Sequence, residues 1–246
     1  LKSVMSGIIK NIYYKSETTL PFKANLGAEN DYLQGGKDIS EIAKENGLKF
    51  YPDWIKGQKT GFFVDQRDNR ALLEKYSKDR SVLNMFCYTV GFSFYAMRGD
   101  AKLVHSVDSS SKAISLTNKN VEINFPEDKR HEAFAEDAFR FLGNINKGDY
   151  DLIILDPPAY GHGVDGEKWK LDDNILEMMN HCQKILEPQD SFLVLNLYSN
   201  GFSALVADTL TNSIFKNSKQ KEFGELVLED SFGKRLPLSV FSRFKL

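Results

Sequence analysis

The chain has 246 residues, 41% of them hydrophobic and 27% charged, enough apolar material for one sizeable domain and a smaller one. Its formal net charge of −2 gives no global attraction to polyanions, so any nucleic-acid contact has to come from a local basic face. Two cysteines are too few for a disulfide framework, no Cys/His spacing matches a zinc site, and no apolar run reaches membrane-spanning length or forms a leader. The expectation is a soluble cytoplasmic protein with no metal. The chain opens at Leu1 rather than methionine, so an N-terminal portion is expected to be missing.

Leu1, Val4, Met5, Ile8, Ile9 and Ile12 recur at helical spacing and predict an amphipathic helix ending near residues 13–15. Residues 16–37 are polar and punctuated by glycine, with a strand expected over 20–26. Residues 39–45 and 48–52 flank Asn46-Gly47, a pair that tolerates the positive φ of a type I′ turn and so predicts a hairpin. Residues 1–60 are therefore expected to form a small α+β domain, with a role in substrate recognition. Residues 61–66 predict one more strand, and 68–77 a helix that buries Ala71, Leu72, Leu73 and Tyr76. Asp65, Gln66 and Arg67 fall at that junction, where they can cap the helix or order a loop.

From residue 81 the pattern repeats as strand, turn, helix. Strands are expected over 82–86, 102–108, 132–135 and 150–155, with helices over 92–98, 110–124 and 137–145 between and after them. This is an open, doubly wound, Rossmann-like α/β sheet. A glycine-rich loop (161–166), a helix (172–186), a strand (191–197) and a helix to about 215 follow. The last two strands, 221–228 and 238–244, are separated by too few residues for a crossover helix and must be antiparallel.

The stretch YDLIILDPPAYGHG (150–163) organises the rest. Its unbroken Leu152, Ile153, Ile154, Leu155 run reads as a strand buried on both faces, stopped by an acid and two prolines. Asp156, the carbonyls near Pro157 and Pro158, and the ring of Tyr160 can grip a planar group bearing hydrogen-bond donors. The first four strand ends carry Asn84 with the CYTVG turn, then Asp108, Asp137 and Asp156. Ligands of such sheets bind beyond these ends. An acid after the second strand can accept both hydroxyls of a ribose, and one after the third can accept from an adenine amino group. The turn lacks G-x-G-x-x-G, which argues against the pyrophosphate of NAD or FAD. S-adenosyl-L-methionine needs a ribose clamp, an adenine slot and a carboxylate cradle, and it fits.

The segments TGFFVDQRDNR (60–70), VLNMFCYTVGF (82–92), the Asp108 strand end, EDAFRFL (136–142), LDPPAYGHG and LPLSVF (236–241) resemble, in order, motifs of class I S-adenosylmethionine-dependent methyltransferases. The likeness is to those related to the PUA-containing enzymes that methylate large-subunit ribosomal RNA bases. It spans residue 46 to the end. The resemblance implies a seven-stranded methyltransferase sheet with its last strand antiparallel, over residues 61–246, after a small β-rich domain. It also implies an enzyme of RNA methylation and rRNA processing. Carried onto this chain, Asn84, Phe86, Tyr88, Thr89 and Gly91 line the methionine end of the cofactor. Asp108 holds the ribose, Asp137 and Ala138 the adenine edge, Asp156 and Pro157 the reacting centre with Tyr160, and Asp65, Gln66 and Arg67 close the site.

The chain departs from that pattern in three places. Val90 stands where the family usually has glycine, which predicts a loop farther from the cofactor. Within the 246 residues given, no PUA domain is expected ahead of the motifs, which removes an RNA anchor the resemblance implies. Methylating C5 of cytosine needs a cysteine thiolate, yet the matching position is Ser199, Cys87 lies in the cofactor loop and Cys182 reads as core. The expectation is transfer to an RNA base without a cysteine adduct. A protein or small-molecule substrate, or a module that binds the cofactor without catalysis, are the alternatives. His162, Lys168 and Trp169 are expected to form the pocket wall or supply a base, and His105, His131 and His181 to have structural roles.

Overall fold

The computed structural model describes residues 7–15, 30–36, 42–163, 166, 168–187, 189–198 and 202–246. The chain packs as two compact units, Leu1–Phe63 and Val64–Leu246.

In the first unit, β1 (Ile12–Tyr14) pairs antiparallel with β2 (Asp31–Gln34). This corrects the expected opening helix within the described residues. Ile12, Tyr13 and Tyr14 are β-branched or aromatic, and Tyr13 meets its cross-strand partner Tyr32 edge-on at 4.9 Å. The strand expected over 20–26 lies outside the described residues. The Asn46-Gly47 hairpin forms as expected: β3 (Ala43–Glu45) and β4 (Leu48–Phe50) are joined by Asn46 at φ 47° and Gly47 at φ 86°. Its apolar face is buried, and Phe50 packs on Phe62 with ring centroids 4.8 Å apart.

The strand expected over 61–66 is absent. Gly61 turns the chain at φ 78°, where a Cβ would lie 2.1 Å from the Asp53 carbonyl oxygen. The second unit then opens with a 3₁₀ turn, Val64–Gln66, that leads directly into α1 (Arg67–Ser77).

There β5 (Ser81–Met85), α2 (Gly91–Arg98), β6 (Leu103–Asp108), α3 (Ser111–Asn124), β7 (His131–Ala135), α4 (Ala138–Gly143) and β8 (Leu152–Leu155) follow the predicted alternation. The predicted glycine-rich loop holds a short hairpin, β9 (Tyr160–His162) paired with β10 (Lys168–Lys170). Then come α5 (Leu171–Ile185), β11 (Phe192–Leu197), α6 (Ala204–Ile214), β12 (Lys219–Glu229) and β13 (Arg235–Lys245).

The main sheet has seven strands in the order β12-β13-β11-β8-β5-β6-β7. Only β13 runs against its neighbours, pairing antiparallel with both β11 and β12. The LIIL run of β8 is buried throughout, which is what a continuous apolar strand at the centre of a two-faced sheet requires. Leu171, Ile175, Met178, Met179, Cys182 and Ile185 form the buried stripe of α5, so Cys182 is core as its position predicts. No helix among the described residues is long and apolar enough to cross a membrane.

Candidate active site

The carboxyl ends of β5, β6, β7 and β8 meet at the point where the strand order reverses, because the chain leaves β5 toward β6 and β7 and returns to β8 on the other side. A crevice opens there, lined by Phe86, Asp108, Ser109, Glu136, Asp137, Ala138, Pro158, His162 and Trp169.

The loop after β5 is strained. Phe86, Tyr88 and Val90 have φ of 57°, 46° and 77°, left-handed values that cost a residue with a side chain about 1–2 kcal/mol each. Hydrogen bonds hold it: the Tyr88 N–H donates to Asp108 Oδ2 at 3.0 Å, and the Thr117 hydroxyl donates to the Tyr88 carbonyl at 3.0 Å. Val90, fully buried, takes the backbone conformation a glycine would, so this loop follows the turn with a strained valine. Gly91 then starts α2, and it has to be glycine: a Cβ would lie 2.6 Å from Arg70 Cδ, and Arg70 is itself buried.

Asp108, the last residue of β6, accepts from Tyr88 N–H through Oδ2 and from Ser110 N–H at 2.9 Å through Oδ1. Burial raises its carboxyl above the usual range, while those two donors pull the other way. Asp137 caps α4, its Oδ1 accepting from Phe139 N–H at 2.9 Å and Arg140 N–H at 3.0 Å, with Ala138 buried beside it. The cap and the crevice are thus served by one side chain.

Trp169, on β10, forms the opposite wall. Its Nε1–H donates to the Pro158 carbonyl at 2.6 Å, and its ring lies 4.9 Å from that of Phe86 and 6.0 Å from that of Phe139. One of the carbonyls freed by the two prolines is therefore occupied from within the chain. The β9–β10 pairing that sets Trp169 in place was not anticipated, although the K-W-K alternation was its signal. Asp156 follows β8 directly and is half-buried, Pro157 is buried, and Tyr160 is 70% exposed at the start of β9.

Other candidate residues lie away from the crevice wall. Asn84 is fully buried, and its Nδ2–H donates to Ser93 Oγ at 2.9 Å. From there a chain of hydroxyls runs from Ser93 to Ser106 at 2.8 Å and from Ser106 to His131 Nε2 at 2.8 Å. Gln66 is also buried: it donates to Ser239 Oγ at 3.0 Å and accepts from Asn69 Nδ2 at 3.0 Å. Asn69 reaches on to Asn196 of β11 and accepts from Arg243 Nη2 at 2.8 Å, tying α1 to β11 and β13. Arg67 points outward against Asp68 at 2.9 Å, Asp65 is half-buried, and Thr89 is buried with its carbonyl taken by Asn120 at 3.4 Å. Crevice-wall positions among the candidates are thus Phe86, Asp108, Asp137, Ala138, His162 and Trp169, while Asn84 and Gln66 belong to buried networks. Ser199 lies outside the described residues.

Both thiols are buried, and neither is disposed to ionise. Burial, with the Asp108 carboxylate nearby, pushes Cys87 well above its usual value, and burial pushes Cys182 up to about 12. Among the described residues no group of three or more His, Cys, Asp or Glu is placed to hold a metal.

The sheet order with its reversed last strand and an acid-lined crevice at the switch point defines an α/β fold of the doubly wound class with a ligand site at its carboxyl rim. Residues 25–211 match the family described as S-adenosylmethionine-dependent methyltransferase, and the chain belongs to it. It is similar to a Tolumonas auensis protein named ribosomal RNA large subunit methyltransferase I, 34% identical over 210 residues that cover 80% of this chain and 52% of that one. A Pseudoalteromonas translucida protein of the same name is 34% identical over 215 residues, with the same coverages of 80% and 52%. The chain thus spans about half the length of these relatives. Among solved structures, the SAM dependent methyltransferase from Agrobacterium tumefaciens superposes with a TM-score of 0.83 at 25% identity, covering 100% of this chain and 79% of that one.

The residues present suit the family's cofactor on the chemistry of the crevice alone. A carboxylate held by two backbone N–H groups suits a ribose diol, a capping aspartate beside a buried alanine suits a purine edge, and Phe86 and Trp169 offer apolar faces.

Proposed function

We propose that this chain transfers a methyl group from S-adenosyl-L-methionine to an RNA base, ribosomal RNA before other RNAs, without a cysteine adduct. The carrying observation is the crevice: Asp108 and Asp137 line it, Asp156 ends the adjacent central strand, and an aromatic wall of Phe86 and Trp169 faces the acids. When bound, the cofactor supplies an electrophilic methyl on a sulfonium.

In this reading Asp108 takes the ribose hydroxyls and Asp137 with Ala138 the adenine edge. The strained turn from Phe86 through Tyr88 and Thr89 to Gly91 fits the methionine end. Asn84 holds Ser93 of the helix that follows that turn, as Gln66 ties the segment carrying Asp65 and Arg67 to Ser239. Asp156 and Pro157 orient the attacking group, with Tyr160 flanking it, so that proximity and alignment provide most of the rate. The raised thiols support direct attack over an adduct, since no buried, neutral cysteine here is a ready nucleophile. The RNA substrate is supported by the names of the two relatives. The small N-terminal domain is assigned to substrate recognition.

Calorimetry with S-adenosylhomocysteine and tritiated methyl transfer onto bulk RNA and bulk protein from a strain lacking the gene test this reading. Binding followed by label in RNA is expected. Label in protein alone, or no S-adenosylhomocysteine binding at high micromolar concentration, overturns it.

A further inference from the structure

The β12–β13 hairpin outgrows the sheet. β11 ends at Leu197, paired with Val240, yet β13 continues five residues past that rung to Arg235, which pairs with Glu229 of β12. At about 3.4 Å per residue the hairpin stands about 17 Å beyond the end of β11. Because β12 runs parallel to β11, this overhang rises from the same rim as Asp108 and Asp156.

The crevice lies over β5 to β8, so the β11–β13 half of the rim lies beside it. The hairpin stands two strands from β8, about 10 Å away, on that half.

The tip is built to present an aromatic ring to solvent. Asp230 Oδ1 accepts from Phe232 N–H at 2.8 Å and from Lys234 N–H at 2.9 Å, Asp230 N–H donates to the Lys234 carbonyl at 2.9 Å, and Gly233 turns at φ 78°. Phe232 is 86% exposed, more than any other large apolar side chain among the described residues, so no core packing explains it. Both tip acids have partners, Asp230 those backbone groups and Glu229 the Arg235 guanidinium at 3.1 Å, while Lys234 is exposed beside the ring.

We infer that this hairpin is a substrate arm that grips the RNA strand next to the target base, with Phe232 stacking on an unpaired base and Lys234 facing a phosphate. The inference rests on the RNA reading above. An exposed ring and a cation on a rigid turn match a nucleotide, which offers a π-face and a phosphate together. A second copy along β12 fits less well: the outer strand carries a bulge between Glu225 and Val227, which interrupts the ladder an added strand needs.

The test uses the full chain with bulk large-subunit rRNA as methyl acceptor and a short, fluorescein-labelled, mixed-sequence single-stranded RNA for binding. Phe232→Ala is expected to raise the RNA KM and Kd about tenfold while kcat, S-adenosylhomocysteine affinity and melting temperature stay unchanged. Phe232→Trp is expected to restore RNA binding, and Lys234→Glu to weaken it and flatten its salt dependence. If RNA is methylated but Phe232→Ala leaves its KM and Kd unchanged, the arm is refuted and the RNA substrate stands. If the wild-type chain neither binds nor methylates RNA, both fall. A change in sedimentation from dimer to monomer, or a loss confined to protein methylation, assigns the hairpin to another partner and overturns the inference.

Discussion

His131 sits at the far end of the hydroxyl chain from Asn84, its Nε2 2.8 Å from Ser106 Oγ, in buried surroundings that disfavour the charged ring. Burial, reinforced by nearby His105 and opposed by Asp128, lowers its pKa from 6.5 to about 4. The folded state therefore resists a proton that the unfolded chain takes up. Stability is complete above the unfolded value of 6.5 and is lost as pH falls toward the folded value of about 4. At about pH 5 the loss from this one side chain is about 2 kcal/mol, at 1.36 kcal/mol per unit. For a chain of this size that lowers the melting temperature by about 4–8 °C. His131→Gln keeps an acceptor near Nε2 and removes the titration. Urea unfolding of both proteins at about pH 7.5 and about pH 5 is expected to show the variant losing about 2 kcal/mol less. His105, also lowered by burial, leaves a residual slope in both. Equal losses in wild type and variant refute the argument.

Gly91→Ala forces a Cβ to 2.6 Å from Arg70 Cδ and is expected to cost about 1–3 kcal/mol in urea unfolding. The loss should shrink in the Arg70→Ala background if the clash is its cause. Asp108→Asn puts an NH₂ against one of two backbone donors, Tyr88 or Ser110. Calorimetry is expected to show S-adenosylhomocysteine bound about 10–100-fold more weakly, and an unchanged Kd contradicts the ribose assignment. Thiol titration of the native protein is expected to leave Cys87 and Cys182 unmodified until urea unfolds it; fast labelling of either under native conditions counts against their burial.

The sheet was legible where chemistry and geometry coincide. An unbroken apolar run admits little but a central strand, so β8 and the acid ending it were visible, as was the turn at Asn46-Gly47. Residues 12–14 form a strand rather than a helix end because Ile12 fits either period and Tyr13 finds Tyr32 across the pair. Residues 61–66 were misread because FFV is apolar enough for a strand, while the contact that excludes one, Gly61 against Asp53, is invisible locally. In the site, the strand-end positions of Asp108 and Asp137 were legible, and both line the crevice. It could not tell which way Asn84 and Gln66 turn, since partners such as Ser239 lie 173 residues away. Trp169 stood in a predicted loop, and its hold on Pro158 depends on a pairing across a glycine-rich stretch.

The order β12-β13-β11 has a consequence for synthesis. The ribosome delivers β12 before the strand that separates it from the rest of the sheet, so for that interval β12 has nothing to join, and the edge of β11 stays bare. The rung between Asn196 and Phe241 forms only once β13 arrives, as does the bond from Arg243 to Asn69. A nascent chain stalled before that point carries the crevice residues and holds α1 by Asn196, without Arg243 or Ser239.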